Sequence, residues 1–120
     1  MKRGAAAAAD AGLDRTLAAL ADPHRRRVVE LLGERARPAG ELARLVGLSP
    51  PAMSRHLRTL RACGLVSESH AEFDARVRIY ELQPDPMRQL QRWLEHSEAL
   101  WSEQLLAFKQ HAEGVGKDQP

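Results

Sequence analysis

The sequence predicts a mainly α-helical fold carrying one β-hairpin. Leucines recur at helical spacing in successive segments from Leu13 onward. Gly33, Gly47 and Gly64 each stand where such a run stops. A single stretch, Arg76-Val77-Arg78-Ile79-Tyr80-Glu81-Leu82, has the β-branched and aromatic character of a strand.

Residues 1–11 read as a flexible tail, because the apolar run after Met1-Lys2-Arg3-Gly4 is too short for a signal peptide and ends at Asp10. Leu13, Leu17 and Leu20 then form a short first helix. Asp22-Pro23 breaks it and starts a second: Asp22 can cap the new helix, and Pro23 falls where a missing N–H costs nothing. Val28, Val29, Leu31 and Leu32 are its apolar face. Arg35 to Gly40 reads as a linker. Glu41 to Val46 forms a third helix, with Leu42, Leu45 and Val46 inward and Gly47 as its stop. Leu48 is expected buried between helices. Ser49 is the N-cap of a fourth helix reaching about Cys63, with Pro50 and Pro51 in its tolerant first turn and Met53, Leu57 and Leu60 on its inner face. Gly64 closes it.

Leu65-Val66 opens a strand, Ala71 to Ala75 reads as a polar turn, and Arg76 to Leu82 returns. Pro84 and Pro86 start a long last helix that is expected to stop before Gly114, with a polar flexible tail over 112–120. One domain over 12–111 follows, since 120 residues suit a single domain. Two helices joined by Gly47-Leu48-Ser49 have the form of a helix-turn-helix, and the hairpin behind them is placed as a wing.

Charge distribution narrows the function. The net charge is only +2, yet His24 to Arg61 holds nine arginines against three glutamates, leaving the rest of the chain net acidic. A basic centre in a near-neutral chain suits a polyanion, and so does a solvated helical face. The outward side of the fourth helix carries Ser49, Pro50, Ala52, Ser54, Arg55, His56, Arg58, Thr59 and Arg61. Guanidinium groups can read guanine, hydroxyls several base edges, and small apolar groups a thymine methyl. For His56, a structural hydrogen bond or a phosphate contact is expected rather than metal ligation. Arg76 and Arg78, at or near the hairpin tip, are candidates for phosphate or groove contacts. The expected partner is double-stranded DNA.

Leu13, Leu17 and Leu20, together with Leu90, Trp93, Leu94, Leu100 and Trp101, offer more apolar surface than one small core needs, which predicts a homodimer through the first and last helices. A wall of a small-molecule effector pocket is the alternative use of Trp93 and Trp101. No stretch approaches the ~18 apolar residues of a membrane span, so the expected location is the cytoplasm.

Several of these runs resemble the ArsR/SmtB family of winged helix-turn-helix regulators. Leu20-Ala21-Asp22-Pro23-His24-Arg25 through Leu31-Leu32 is similar to the family opening L-A-D-P-x-R-x-x-I-L-x-L-L. Glu41-Leu42-Ala43 through Leu48-Ser49-Pro50-Pro51-Ala52-Met53-Ser54-Arg55-His56-Leu57 is similar to E-L-A-x-x-x-x-L-S-Q-P-A-V-S-R-H-L. Gly64-Leu65-Val66 and Arg76 through Leu82 are similar to its wing, G-L-V…G-R-x-x-x-Y-x-L. The resemblance implies a symmetric dimer that represses from a palindromic operator, with DNA contacts at Ser49, Ala52, Ser54, Arg55 and His56 and a wing arginine at Arg76. Pro50 stands where the family has Gln, and Ala75 where it has the wing-tip Gly; both departures imply altered base reading and wing shape.

The family's metal-sensing patterns are missing. Glu41 to Val46 has no thiolate, and His96 and His111 have the wrong separation, so neither a metal nor any other cofactor is expected. The lone Cys63 reads as packing, with redox sensing as the alternative. No catalytic constellation appears: Ser54 and His56 stand at i and i+2 on a helix and point apart, and no glycine-rich phosphate loop exists. The chain is therefore expected not to be an enzyme.

Overall fold

The structure is a computed structural model that describes residues 2–117, with side-chain environments for 10–114. The elements run α1 (Lys2–Leu20), α2 (Pro23–Glu34), β1 (Arg37–Pro38), α3 (Ala39–Val46), α4 (Pro50–Ala62), β2 (Val66–Ala71), β3 (Asp74–Leu82) and α5 (Pro84–Lys117). By its contacts the chain divides into two compact units, residues 1–88 and 89–120.

The first unit holds the core. α2 contributes Val28, Val29, Leu31 and Leu32; α3 contributes Leu42 and Ala43; α4 contributes Met53, Leu57 and Leu60; Leu65, Val66 and Tyr80 close it from the sheet side. Each of these larger side chains is worth about 1.5–3 kcal/mol when fully buried. The expected inner faces of α2 and α4 are the observed ones. Of the three inward residues expected on α3, only Leu42 is fully buried; Val46 is half-buried and Leu45 exposed, and Leu48 is half-buried.

Helix punctuation follows local chemistry. The Asp22 carboxylate accepts from the backbone N–H groups of His24 (2.8 Å) and Arg25 (3.1 Å), capping α2. Gly47 (φ 78°) ends α3 and Gly64 (φ 74°) follows α4, both in the left-handed region where a side chain would strain the backbone.

Four boundaries differ from expectation. α1 begins at Lys2, so residues 2–11 are helical instead of a loose tail; alanine has the strongest intrinsic helix preference and five stand in a row. α5 runs through Gly114 and Gly116 to Lys117, past the expected stop; the rest of the expected tail, 118–120, lies outside the described residues. The hairpin turn is shorter, only Glu72-Phe73 between the strands. The linker at 35–40 contains β1, which pairs antiparallel with β3 (Arg37↔Tyr80, Pro38↔Ile79) and makes a three-stranded sheet of order β1-β3-β2. Pairing across this distance in sequence leaves no local signature, and Pro38 is tolerated because β1 is an edge strand.

In the second unit, Leu90 and Ser97 are buried while Trp93, Leu94, Leu100, Trp101, Leu105 and Phe108 are exposed. Leu94, Trp101, Leu105 and Phe108 follow one another by seven, four and three residues and so form one apolar stripe. Of the expected interface residues on α1, Leu13 is buried, Leu20 half-buried and Leu17 exposed.

Candidate nucleic-acid interface

α4 is built to present one polar face rigidly. Ser49 takes extended geometry (φ −65°, ψ 153°), and its Oγ accepts from the Ala52 N–H at 3.3 Å. Since the hydroxyl oxygen accepts there, its proton remains to be donated outward. Pro50 and Pro51 fix the first turn. Met53, Leu57 and Leu60 are buried beneath, so Ser54, Arg55 and Arg58 stand exposed on the opposite side, while Ala52 and His56 are half-buried.

The wing differs from an ideal hairpin at its tip. From Val66↔Leu82 to His70↔Arg78 the register is regular, and then Ala71 pairs with Asp74, leaving Ala75, Arg76 and Val77 without a partner in β2. Asp74 organises the tip: its carboxylate accepts from the Arg76 backbone N–H (3.0 Å) and Nε (3.2 Å). Those bonds hold the Asp74 carboxyl below its ordinary value. The Arg76 side chain is nonetheless 92% exposed.

Glu68 on β2 ties the wing to α4. With its side chain only 13% exposed, it accepts from Arg61 NH1 (3.1 Å) and from the Tyr80 hydroxyl (2.8 Å), and Arg78 Nε lies 3.7 Å from its other oxygen. Burial and the Glu68 carboxylate together push the Tyr80 hydroxyl above its usual value, so it stays protonated and donating. Sequence reading missed Glu68 because its partners come from α4 and β3 and share no spacing with it.

The basic block is also less uniform than the sequence suggests. Arg37, with its side chain only 8% exposed, donates to the Leu31 carbonyl, Glu34 and Glu41. Arg25 Nε donates to the Ala19 carbonyl (2.7 Å) and Arg26 to the Leu20 carbonyl (3.2 Å), so both cap the C-terminus of α1. Arg27 pairs with Glu30, Arg35 with Glu41 and Arg61 with Glu68. Arg44, Arg55 and Arg58 are left with exposed side chains and no carboxylate partner within salt-bridge distance among the described residues.

His56 faces inward from α4. Its Nδ1 lies 3.5 Å from Arg25 NH1, and its ring centroid is 5.6 Å from that of His24. Sequence reading placed neither Asp22 nor His24 beside it.

Residues 20–68 match a family model described as a helix-turn-helix domain. The HTH-type transcriptional regulator Rv2034 of Mycobacterium tuberculosis is 35% identical over 105 residues, covering 88% of this chain and 92% of its own. An ArsR-like transcriptional regulator from Rhodococcus sp. RHA1 is 33% identical, with a TM-score of 0.67, over 85% of this chain and 93% of that one. The chain belongs to the ArsR family of winged helix-turn-helix transcriptional regulators. HlyU from Vibrio cholerae is also similar, at 31% identity and a TM-score of 0.57 over 62% of this chain and 77% of that one.

As an ArsR-family regulator, the chain has α3 and α4 as its helix-turn-helix and β2–β3 as its wing. It is a DNA-binding protein, and its relatives are regulators, not enzymes. Among the described residues, no helix is long and apolar enough to cross a membrane.

Proposed function

We propose that this ArsR-family regulator is a homodimeric, cytoplasmic repressor that reads a palindromic operator with α4 and the wing. One observation carries the reading. Among the described residues Arg55 and Arg58 have no carboxylate within salt-bridge distance, and both are exposed on a helix whose opposite face is anchored by Met53, Leu57 and Leu60. A rigid helix with free arginines is what a major groove accepts, and Arg binds guanine through two hydrogen bonds.

In this reading Ser54, Arg55 and Arg58 meet base edges or phosphates in the groove, with Ala52 and Pro50 as apolar contacts. Ser49, at the helix N-terminus, donates its hydroxyl proton to a phosphate. Arg76 reaches backbone or minor groove from the wing tip. Arg78 contributes less, because Glu68 already offsets its charge. His56, half-buried against Arg25, is at most a phosphate contact.

Leu17 on α1 and Trp93, Leu94, Leu100 and Trp101 on α5 are the exposed side chains that supply the dimer contacts, with half-buried Leu20 beside Leu17; Leu13 and Leu90, also expected there, are already buried within the chain and act beneath that surface. Exposed tryptophans and leucines in a row are costly in water at about 25 cal/mol per Å² of apolar surface. A second copy of the chain covers both. A small-molecule effector bound beside Trp93 and Trp101 is the second use of that surface.

The test is a footprint on the DNA upstream of the protein's own coding sequence, together with sedimentation and transcription from that DNA. The expected result is a dimer protecting two symmetric half-sites with centres about one helical turn apart, and reduced transcription. A monomer at micromolar concentration, or protection of one unrepeated half-site, overturns the dimeric reading. Transcription raised by the protein overturns repression.

A further inference from the structure

We propose that Asp22, His24 and His56 form a binding site for a divalent transition-metal ion of the zinc type. One ligand atom from each lies within 4.8 Å of the other two. Tetrahedral zinc with bonds of about 2.0–2.2 Å sets its ligand atoms about 3.4 Å apart. The site therefore needs closing by little more than an ångström, a movement within the reach of side-chain rotation alone.

Each ligand is held in a different way, and all three leave a coordinating atom free. Asp22 uses Oδ1 for both capping hydrogen bonds, to the N–H groups of His24 and Arg25. Its Oδ2 has no partner in any hydrogen bond or ion pair among the described residues. His24 follows in the first turn of α2 and is exposed, with Nδ1 3.8 Å from Asp22. His56 comes from α4, and its ring stands 5.6 Å from that of His24 at 47°. α2 and α4 share one packed core, which fixes the distance between the two halves of the site.

The donor set selects the ion. Two imidazoles and one carboxylate suit Zn²⁺ and its transition-metal neighbours rather than Ca²⁺ or Mg²⁺, which want more oxygens. Three protein ligands on an exposed rim leave the fourth position to water. Arg25 is an adverse neighbour. Its guanidinium is secured by the Ala19 and Ala18 carbonyls, and its 3.5 Å approach to His56 Nδ1 is the weakest of its contacts, so the ring can turn from it without freeing a buried charge.

The sequence spacings of the family's sensors gave no hint of this cluster, since its halves lie on different helices and meet only in the fold. The site stands on its own geometry and does not depend on how α4 meets DNA.

The test uses the full-length chain without an affinity tag, stripped of metal by a chelator. Zn²⁺ binding is measured by equilibrium dialysis, and Co²⁺ serves as a spectroscopic probe of ligand geometry. The expected result is one Zn²⁺ per chain and a Co²⁺ absorption band typical of tetrahedral sites. His24→Gln and His56→Gln should each weaken binding by more than ~10-fold, since even outer-shell partners cost about 10–100-fold. Asp22→Asn should weaken binding while leaving the melting temperature nearly unchanged, because Asn caps a helix as well as Asp. His96→Gln, on α5, should change nothing. Absence of stoichiometric Zn²⁺ at micromolar concentration, or binding that survives both His24→Gln and His56→Gln, overturns the proposal.

Discussion

The two parts of the proposed DNA-facing surface, α4 and the wing, are ordered by different physics. α4 is specified within its own segment: a serine cap, two prolines in the first turn, an apolar stripe at Met53, Leu57 and Leu60, and a left-handed glycine after its end. The wing is specified by residues that meet only on folding. Glu68 gathers Arg61, Arg78 and Tyr80, β1 joins its outer edge, and Asp74 shapes the tip through Arg76. The start, stop and inner face of α4 are thus set locally, whereas the wing depends on the charges around it. Damage to the first should therefore appear as lost stability or lost base reading, and damage to the second as altered charge balance.

The largest expected effect comes from beneath α4. Leu60→Ala removes a side chain with no exposure from the centre of the core and should lower the unfolding free energy by about 2–5 kcal/mol, measured by urea denaturation. A loss below ~1 kcal/mol would mean that α4 is held by something other than its apolar face.

The next effect separates the wing from the helix. Glu68→Gln keeps the shape and an acceptor for Tyr80 but releases Arg61 and Arg78 from their carboxylate. Stability should fall by no more than about 1 kcal/mol, as expected for partly exposed pairs. Affinity for random duplex DNA should rise, with a steeper salt dependence of about one further phosphate contact per freed arginine. Unchanged affinity would show that neither arginine reaches DNA.

The smallest effect concerns the edge of the sheet. Burial opposes the charge on Glu41, but Arg35 and Arg37 hold its carboxyl below the ordinary value. A depressed folded value contributes stability above the unfolded value and loses it as pH falls through the folded one. The wild-type protein should therefore lose more stability than Glu41→Gln on going from neutral pH to below the usual glutamate range. Thermal melting across that range checks it; parallel curves would remove Glu41 from the account.

How much of this was legible follows the same division. The helix-turn-helix could be read from Asp22-Pro23, Gly47 and Ser49-Pro50-Pro51, because capping and turn chemistry are local. The start of α1 was missed through reading Ala5–Ala9 as tail, although alanine favours helix. β1 was missed because two residues, one of them a proline, carry no strand periodicity. The arginine count could not separate Arg25, Arg26 and Arg37, which donate to backbone carbonyls, from arginines left without such contacts, a difference that composition does not carry. For His56 a structural hydrogen bond was expected, but its neighbours Asp22 and His24 required the packing of α2 on α4.

The central claim is that α4 reads bases while the wing tip holds phosphate or groove, and the most direct measurement compares Arg55→Ala with Arg76→Ala on operator and scrambled duplexes over a range of salt. Loss of a two-bond base contact costs about 1–3 kcal/mol and relaxes specificity at that position. Arg55→Ala should therefore narrow the gap between operator and scrambled DNA. Arg76→Ala should weaken both alike and lower the salt slope by about one per contact. If Arg55→Ala left both affinities intact, α4 would not be the reader and the account would be contradicted.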